Sequence, residues 1–437
     1  MTSARDASSS RDAEFARPVN EVDEMSQQDA IVIIGGGLAG ARAAEGAREA
    51  GYDGPLMIVS AEQALPYTRP PLSKEFLAGD AERDSIDVHP EAWYAEQRVE
   101  LLRGRRATRL DPAAHTIQLD DGATVRYRRA LLATGASPRR FGGPGGDLAG
   151  VHLLRTVGDS VALRDALRRG GRRVVIIGAG WIGLEVAAAA RGYDNDVTVL
   201  GLETVPLNAA IGDDAGSVFA ALHREHGVDL RMSTSVAGIR GEGGTVTGVE
   251  LEGGGVVPAD VVVVGIGAIP ETGLAEAAGL QVDRGVVTDA AFRTSADDVF
   301  AVGDVASVFH PVLQRPIRIE HWANAENAGR AAGRSLAGES VEYDDIPYFY
   351  TDQYDLGMEY SGYGVLAADV TPVFRGDRDA REFIAFWLRD ERVVAGMNVN
   401  VWDVNETVQA LIRSRIVVDP ARLADPDVPL EQLAGVA

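Results

Sequence analysis

Cysteine is absent from this chain, and with it every mechanism that needs a thiolate: a redox disulfide, flavin–thiol chemistry, a cysteine-ligated iron–sulfur cluster or a thiolate zinc site. Any redox chemistry must therefore run on a bound cofactor. Lysine is nearly absent. Lys74 stands alone and all the rest of the 42 basic residues are arginine. Unless it survives by chance, that lysine marks a place where a compact ammonium cannot be exchanged for a planar guanidinium. Positive charge is short overall: 65 acidic residues against 42 basic ones leave a net charge of −23. Such a surface repels a phosphate backbone or an anionic membrane, which argues against nucleic acid or membrane as a partner. No run approaches the ~18 consecutive apolar residues of a membrane span. The first 29 residues are polar and lack an apolar signal-peptide core. The expectation is a cytoplasmic protein with a disordered leader over residues 1–29, in which Met25, just ahead of the first apolar run, is an alternative translation start.

What is present suits a folded multidomain protein. The 437 residues suggest roughly three domains at ~150 residues each, and the 46% hydrophobic and 24% charged content is that of a globular chain. Ile31 to Ile34 read as a buried parallel strand, followed by Gly35-Gly36-Gly37-Leu38-Ala39-Gly40, a helix-forming stretch to Ala50 and a second strand at Leu56 to Val59. In G-x-G-x-x-G the first glycine makes the tight turn, the second admits a pyrophosphate to the backbone, and the third lets helix and strand pack closely. The helix start then offers free N–H groups to the anion. The pattern recurs. Val174 to Ile177 lead into Gly178-Ala179-Gly180-Trp181-Ile182-Gly183, an Ala-rich helix and a strand at Val197 to Leu200. Each unit is followed by a hairpin signal, Asp121-Gly122 or Gly253-Gly254-Gly255, and a further apolar strand ending in glycine, at Ala130 to Gly135 and Val261 to Gly267. Two tandem copies of one dinucleotide-binding architecture are expected. Two dinucleotides held without sulfur suggest hydride transfer from a nicotinamide to a flavin.

At this point the residues carry a resemblance. The chain resembles the flavoprotein ferredoxin reductases of the putidaredoxin-reductase type, within the pyridine nucleotide-disulfide class that includes glutathione reductase and apoptosis-inducing factor, but without the redox disulfide. Beyond the paired glycine motifs, the likeness rests on Arg69-Pro70-Pro71-Leu72-Ser73-Lys74, Ala133-Thr134-Gly135 with Arg139, Gly183-Leu184-Glu185 and Val299-Phe300-Ala301-Val302-Gly303-Asp304. It continues through Glu320-His321-Trp322-Ala323-Asn324-Ala325 and Thr351-Asp352-Gln353-Tyr354-Asp355-Leu356. The resemblance implies an α/β fold of two tandem Rossmann-like domains plus a C-terminal α+β domain. Residues 30–145 and 270–345 would form the FAD domain, 146–269 the NAD domain and 346–437 an interface or acceptor-facing domain.

The resemblance also implies site roles. Gly35, Gly37, Leu38, Ala39 and Gly40 would hold the FAD pyrophosphate, with Arg69, Ala107, Ala133, Thr134, Gly135, Arg139, Gly303 and His321 among the further cofactor contacts. Asp304 would bond the ribityl or pyrophosphate region, act as a helix N-cap, or do both. Lys74 falls beside the flavin N5 edge, paired with Glu185, the alternative being an ordinary interdomain salt bridge. Trp322 would set an aromatic against the flavin near the nicotinamide, or serve as a core tryptophan. Gly178, Gly180, Ile182, Gly183 and Gly267 fall to the NAD site, where Trp181 is an aromatic gate or a helix-packing residue. Lys74, Glu185 and Trp322 are thus the candidate catalytic residues.

Some positions depart from the family pattern. The ribose-reading acids are expected at the positions of Ala61 and Gly201, whereas Glu62 and Glu203 stand one and two residues later. No arginine or lysine occurs from Gly201 to Asn208 to meet a 2′-phosphate, so NADH is expected rather than NADPH. Tyr350, Gly357 and Glu359 replace a Trp, a Lys and an apolar residue of relatives, in the segment that would face the acceptor. That acceptor would be a small iron–sulfur ferredoxin serving a cytochrome P450 or an oxygenase. Two rivals are a stand-alone NADH oxidoreductase for a small acceptor such as a quinone, and a binding flavoprotein resembling apoptosis-inducing factor. His223 and His226, three apart on a helix ending near Gly227, read as a solvent-facing pair rather than metal ligands. The arginines at 103, 105, 106 and 109 and at 168, 169, 172 and 173 read as solvated surface.

Overall fold

The computed structural model describes residues 30–435; the leader expected over residues 1–29 lies outside them. The core of the first unit is a five-stranded parallel sheet in the order Val299–Ala301, Arg129–Leu132, Ile31–Ile34, Leu56–Ser60, Val99–Arg103. Ile31–Ile34 is buried along its whole length, as a strand covered on both faces must be. The second unit repeats it, with the order Asp229–Arg231, Asp196–Leu200, Arg173–Ile177, Val261–Val264, Val151–His152, again all parallel. In each sheet the strand before the glycine motif lies between the strand that follows its helix and a strand from later in the chain. The chain order reverses there and opens a crevice at the strand's C-terminal end. Each unit also carries a three-stranded antiparallel appendage, Ala107–Asp111, Thr116–Leu119 and Thr124–Arg126 in the first and Val236–Glu242, Thr245–Leu251 and Val256–Pro258 in the second. The tandem repeat read from the sequence is present, and both glycine hairpins fall at its turns.

Two helices clamp the first unit. Leu38–Glu49 packs against Trp322–Ala337 through small residues. A Cβ at Gly333 would strike the Ala43 carbonyl and one at Gly46 the Arg330 carbonyl, so this close approach depends on glycine. The chain after Ile346 forms a five-stranded antiparallel sheet ordered Tyr348–Gln353, Leu356–Gly362, Arg392–Val399, Glu382–Arg389, Val373–Asp377. One face buries Met358, Phe383 and Trp387 against Phe219 and Leu222 of the helix Asn208–Glu225. The other face buries Ile384 and Phe386 under Val408, Leu411 and Ile412 of the helix Asn405–Ser414. Burial on both faces explains the unbroken apolar run Phe383-Ile384-Ala385-Phe386-Trp387-Leu388.

One expectation fails here. His223 is fully buried and donates its Nε2–H to Gln353 Oε1 at 2.8 Å, while His226 stacks on Tyr354 at 3.7 Å between ring centroids. Neither faces solvent freely, because the C-terminal sheet covers the end of their helix. The arginine clusters do lie on the surface, paired as Arg103–Glu91, Arg105–Asp121 and Arg173–Asp260. Among the described residues no helix is long and apolar enough to cross a membrane.

Candidate functional site

The crevices of both parallel sheets open into one cleft of about 760 Å³, which the C-terminal sheet reaches with Phe349 and Tyr350. The glycine motifs behave identically at its two ends. A Cβ on Gly35 would strike the Ala133 carbonyl, and one on Gly178 the Gly265 carbonyl; both residues have positive φ, +128° and +111°. Gly40 and Gly183 would strike the carbonyls of Gly35 and Gly178. The middle glycines differ. A Cβ on Gly37 or Gly180 would meet nothing within 4 Å, and both residues line the cleft. The protein's own packing does not demand glycine there. The space kept clear in front of each helix start fits an anion approaching the backbone.

Positive charge converges on the first end. Arg69 donates to Glu62 Oε1 at 3.1 Å and to the Tyr67 hydroxyl at 3.2 Å. The Tyr67 hydroxyl in turn donates to Glu62 Oε2 at 2.6 Å. Burial pushes that phenol up to about 12, so it remains a proton donor near neutrality. Arg155 pairs with Asp304 at 2.7 Å, and both line the cleft. Asp304 sits inside the 3₁₀ turn Gly303–Val305, whose N-cap is Val302. Asp304 is thus not an N-cap; its carboxylate is held by a guanidinium instead.

Lys74 and Glu185 also line the cleft. The paired prolines of Pro70–Ser73 pre-set a 3₁₀ turn that delivers Lys74 to the cleft wall, where its Nζ stands 2.8 Å from Glu185 Oε1. Side-chain exposure is only 11% for the lysine and 6% for the glutamate, so neither charge is tolerable without the other. Glu185 projects from the second glycine-motif helix, Trp181–Gly192, one turn beyond Trp181 and on the same face. Its Oε2 accepts from Ser73 Oγ at 2.5 Å, and its Oε1 also accepts from Thr351 Oγ1 at 2.7 Å. Lys74 Nζ lies 5.7 Å from the centroid of the Tyr350 ring, and Tyr350 meets Trp322 edge-on at 6.4 Å.

Trp181 and Trp322 both line the cleft. Trp181 also packs edge-on against Phe219 and Phe349, so it packs its helix while bordering the cleft. His321 lines the cleft beside Phe349, and burial pushes its imidazole down to about 4, leaving it neutral near pH 7. Its Nδ1 is buried without a partner, a polar atom left for a ligand.

Most sequence-predicted positions converge here. Leu38, Ala39, Glu62, Arg69, Ala107, Ala133, Thr134, Gly135, Ile182, Gly267 and Gly303 all border the cleft. Gly40 and Gly178 shape its turns from behind. Two expected contacts do not reach it. Arg139 is exposed outside the lining, its backbone N–H bonded to the Gly267 carbonyl. Glu203 is exposed on the turn after Asp196–Leu200. Sequence reading missed Arg155, which lies between a strand and a helix in no motif, and the Ser73 and Thr351 hydroxyls that complete the shell of Glu185. Arg105 and Arg106, read as plain surface, are exposed yet border the cleft.

Comparison with known proteins agrees with this geometry. Residues 29–329 match the family described as pyridine nucleotide-disulphide oxidoreductase, and residues 348–434 match the family described as reductase C-terminal. The chain is 42% identical over 404 residues to the ferredoxin–NAD(+) reductase component of the anthranilate 1,2-dioxygenase system of Burkholderia cepacia, covering 92% of this chain and 98% of that one. It is 36% identical over 419 residues to putidaredoxin reductase of Pseudomonas putida, covering 94% and 98%. Among solved structures, the covalent putidaredoxin reductase–putidaredoxin complex superposes with a TM-score of 0.89 at 36% identity, over 93% of this chain and 99% of that one. With paired glycine cradles facing one cleft and a family model spanning most of its length, the chain belongs to the pyridine nucleotide-disulphide oxidoreductase family.

Proposed function

We propose that this protein is an FAD-containing ferredoxin reductase, which takes reducing equivalents from NADH and passes single electrons to a small iron–sulfur ferredoxin serving a cytochrome P450 or an oxygenase. The observation that carries the reading is the Lys74–Glu185 pair, buried in the wall of the one cleft that both cradles border, their middle glycines clear of protein atoms. In this reading residues 30–145 and 270–345 bind FAD, residues 146–269 bind NADH, and residues 346–437 face the acceptor. The relatives of the dioxygenase and putidaredoxin systems support the assignment of the acceptor.

When bound, FAD supplies a ring that takes up a hydride equivalent and releases electrons one at a time. The chain's own residues supply binding and electrostatics. The first cradle and the guanidiniums of Arg69 and Arg155 offer N–H donors to a diphosphate. The Lys74 ammonium is a fixed positive charge in a poorly hydrated site, where it favours negative charge developing beside it far more than it would in water. Glu185 offsets that charge so that the lysine can stay buried. Trp181, Trp322 and Tyr350 wall the site with aromatic surface that excludes water. For the nicotinamide nucleotide, NADH is favoured over NADPH. Residues 201–208 carry no cation, and Arg231, opposite Leu200 in the sheet, is engaged by Asp229. The cytoplasm is the proposed location.

Stopped-flow spectroscopy of the purified holoprotein tests the proposal. Fast bleaching of the flavin by NADH followed by transfer to added ferredoxin is the expected result. Bleaching without transfer would favour a stand-alone NADH oxidoreductase, and slow bleaching with a persistent charge-transfer band would favour a binding flavoprotein. A colourless protein that refuses added FAD would remove the reading altogether.

A further inference from the structure

Behind Glu185 runs a line of buried polar groups that the reaction outlined above does not use. Thr351 and Gln353 sit two apart on the strand Tyr348–Gln353, on its buried side, while Asp352 between them faces out. Thr351 Oγ1 lies 2.7 Å from Glu185 Oε1, Gln353 Nε2 lies 3.2 Å from Thr351 Oγ1, and Gln353 Oε1 lies 2.8 Å from His223 Nε2. Exposure is 6% for Glu185, 1% for Thr351 and Gln353, and zero for His223. The line joins the second glycine-motif helix, the edge of the C-terminal sheet and the helix Asn208–Glu225.

Its direction follows from the carboxylate, which can only accept. Thr351 must give its hydroxyl proton to Glu185, so its oxygen accepts from the Gln353 amide N–H. The carbonyl end of Gln353 then faces His223 and accepts from its Nε2–H. His223 Nδ1 is consequently the unprotonated nitrogen, and it is buried without a partner. Every donor points towards Glu185, and successive bonds in such a chain polarise one another.

We infer that Thr351 and Gln353, backed by His223, are positioning residues that hold the Glu185 carboxylate, and through it the Lys74 ammonium, at the cleft. This rests on the reading that FAD occupies the cleft. The burial that keeps the His223 ring neutral, at about 4, preserves the donor direction at working pH. The chain also ties the C-terminal sheet to the site through Glu185, alongside the Tyr350 ring that stands 5.7 Å from Lys74 Nζ.

Two readouts test the inference. The first needs no flavin: ring ¹⁵N shifts of His223 at pH 7 should report a neutral Nε2–H tautomer. In Gln353→Glu, whose carboxylate reverses the chain by accepting from both neighbours, the ring should become doubly protonated. An Nδ1–H tautomer in the unmodified protein would overturn the chain. The second is the midpoint potential of the bound flavin. Thr351→Val and Gln353→Glu each take a donor from Glu185 and concentrate its negative charge beside the cleft. Each should lower the equilibrium constant for reduction about tenfold, roughly 30 mV for a two-electron couple, and Thr351→Ser should restore the original value. Unchanged potentials in both variants, or a serine that restores stability but not potential, would overturn the positioning role. Failure to take up FAD would strike the cleft reading itself, and the ring-nitrogen signature would then decide the chain on its own.

Discussion

Arg155 Nη2 lies 2.7 Å from Asp304 Oδ2, across 149 positions of sequence, so one side of the cleft is locked by a guanidinium that no motif announces. Arg155→Gln is expected to free Asp304 to repel an approaching diphosphate and to remove one charge-assisted donor. Such a bond is worth about 1.5–3 kcal/mol, which corresponds to a loss of FAD affinity of roughly tenfold to a hundredfold. Titration of the stripped protein with FAD, followed by flavin fluorescence, measures it. Unchanged affinity would mean that the pair is purely structural.

The two glycine motifs predict a separation of effects. Gly40→Ala and Gly183→Ala push a methyl into backbone carbonyls, and each should lower unfolding stability by about 1–3 kcal/mol. Gly37→Ala and Gly180→Ala meet no protein atom. They should leave denaturation midpoints unchanged and weaken only binding. The first should loosen FAD and the second should raise KM for NADH while FAD stays bound.

How much of this was legible in the sequence depends on how local each feature is. The strand–glycine–helix units could be read directly, because the turn, the cradle and the packing contact all fall within a few residues of each other. Lys74 stood out through composition. The hydroxyl partners of Glu185 did not; Thr351, for one, lies 166 positions away and reaches it only from the C-terminal sheet. His223 illustrates the same limit. Helical spacing alone makes residues three apart share a face, but it does not say whether that face meets water or, as here, another domain. Arg139 was expected at the cofactor from its place after Ala133-Thr134-Gly135, yet it is exposed outside the cleft lining, whereas Arg155, which no motif announces, borders it.

His223 gives the protein a defined response to acid. Its imidazole titrates at about 4 when folded, lowered chiefly by burial, against about 6.5 in the unfolded chain. The unfolded state therefore binds the extra proton first. The stability this neutral ring contributes is present above pH ~6.5 and declines as pH falls towards ~4, by at most about 1.4 kcal/mol per pH unit. Urea unfolding between pH 7 and 4 should show a decline to which the buried His321 also contributes, and His223→Gln, which cannot take up charge, should make it shallower. An equally steep decline in the variant would assign the acid sensitivity to other groups.

Lys74→Met poses the sharpest question, because it separates stability from chemistry. Removing the ammonium strands the Glu185 carboxylate among apolar neighbours with only Ser73 and Thr351 as donors, at an expected cost of about 3–5 kcal/mol. Lys74→Met combined with Glu185→Gln should recover most of that loss, since a neutral amide needs no counter-charge. Denaturation of both single variants and the pair closes a double-mutant cycle, and a coupling energy near zero would show that the two charges are independently solvated. Hydride transfer should behave differently. The double variant restores the fold but not the positive charge beside the flavin, so FAD should stay bound while stopped-flow reduction by NADH remains slow. Reduction at the unmodified rate in the stable double variant would remove Lys74 from the mechanism and leave it as an interdomain tie.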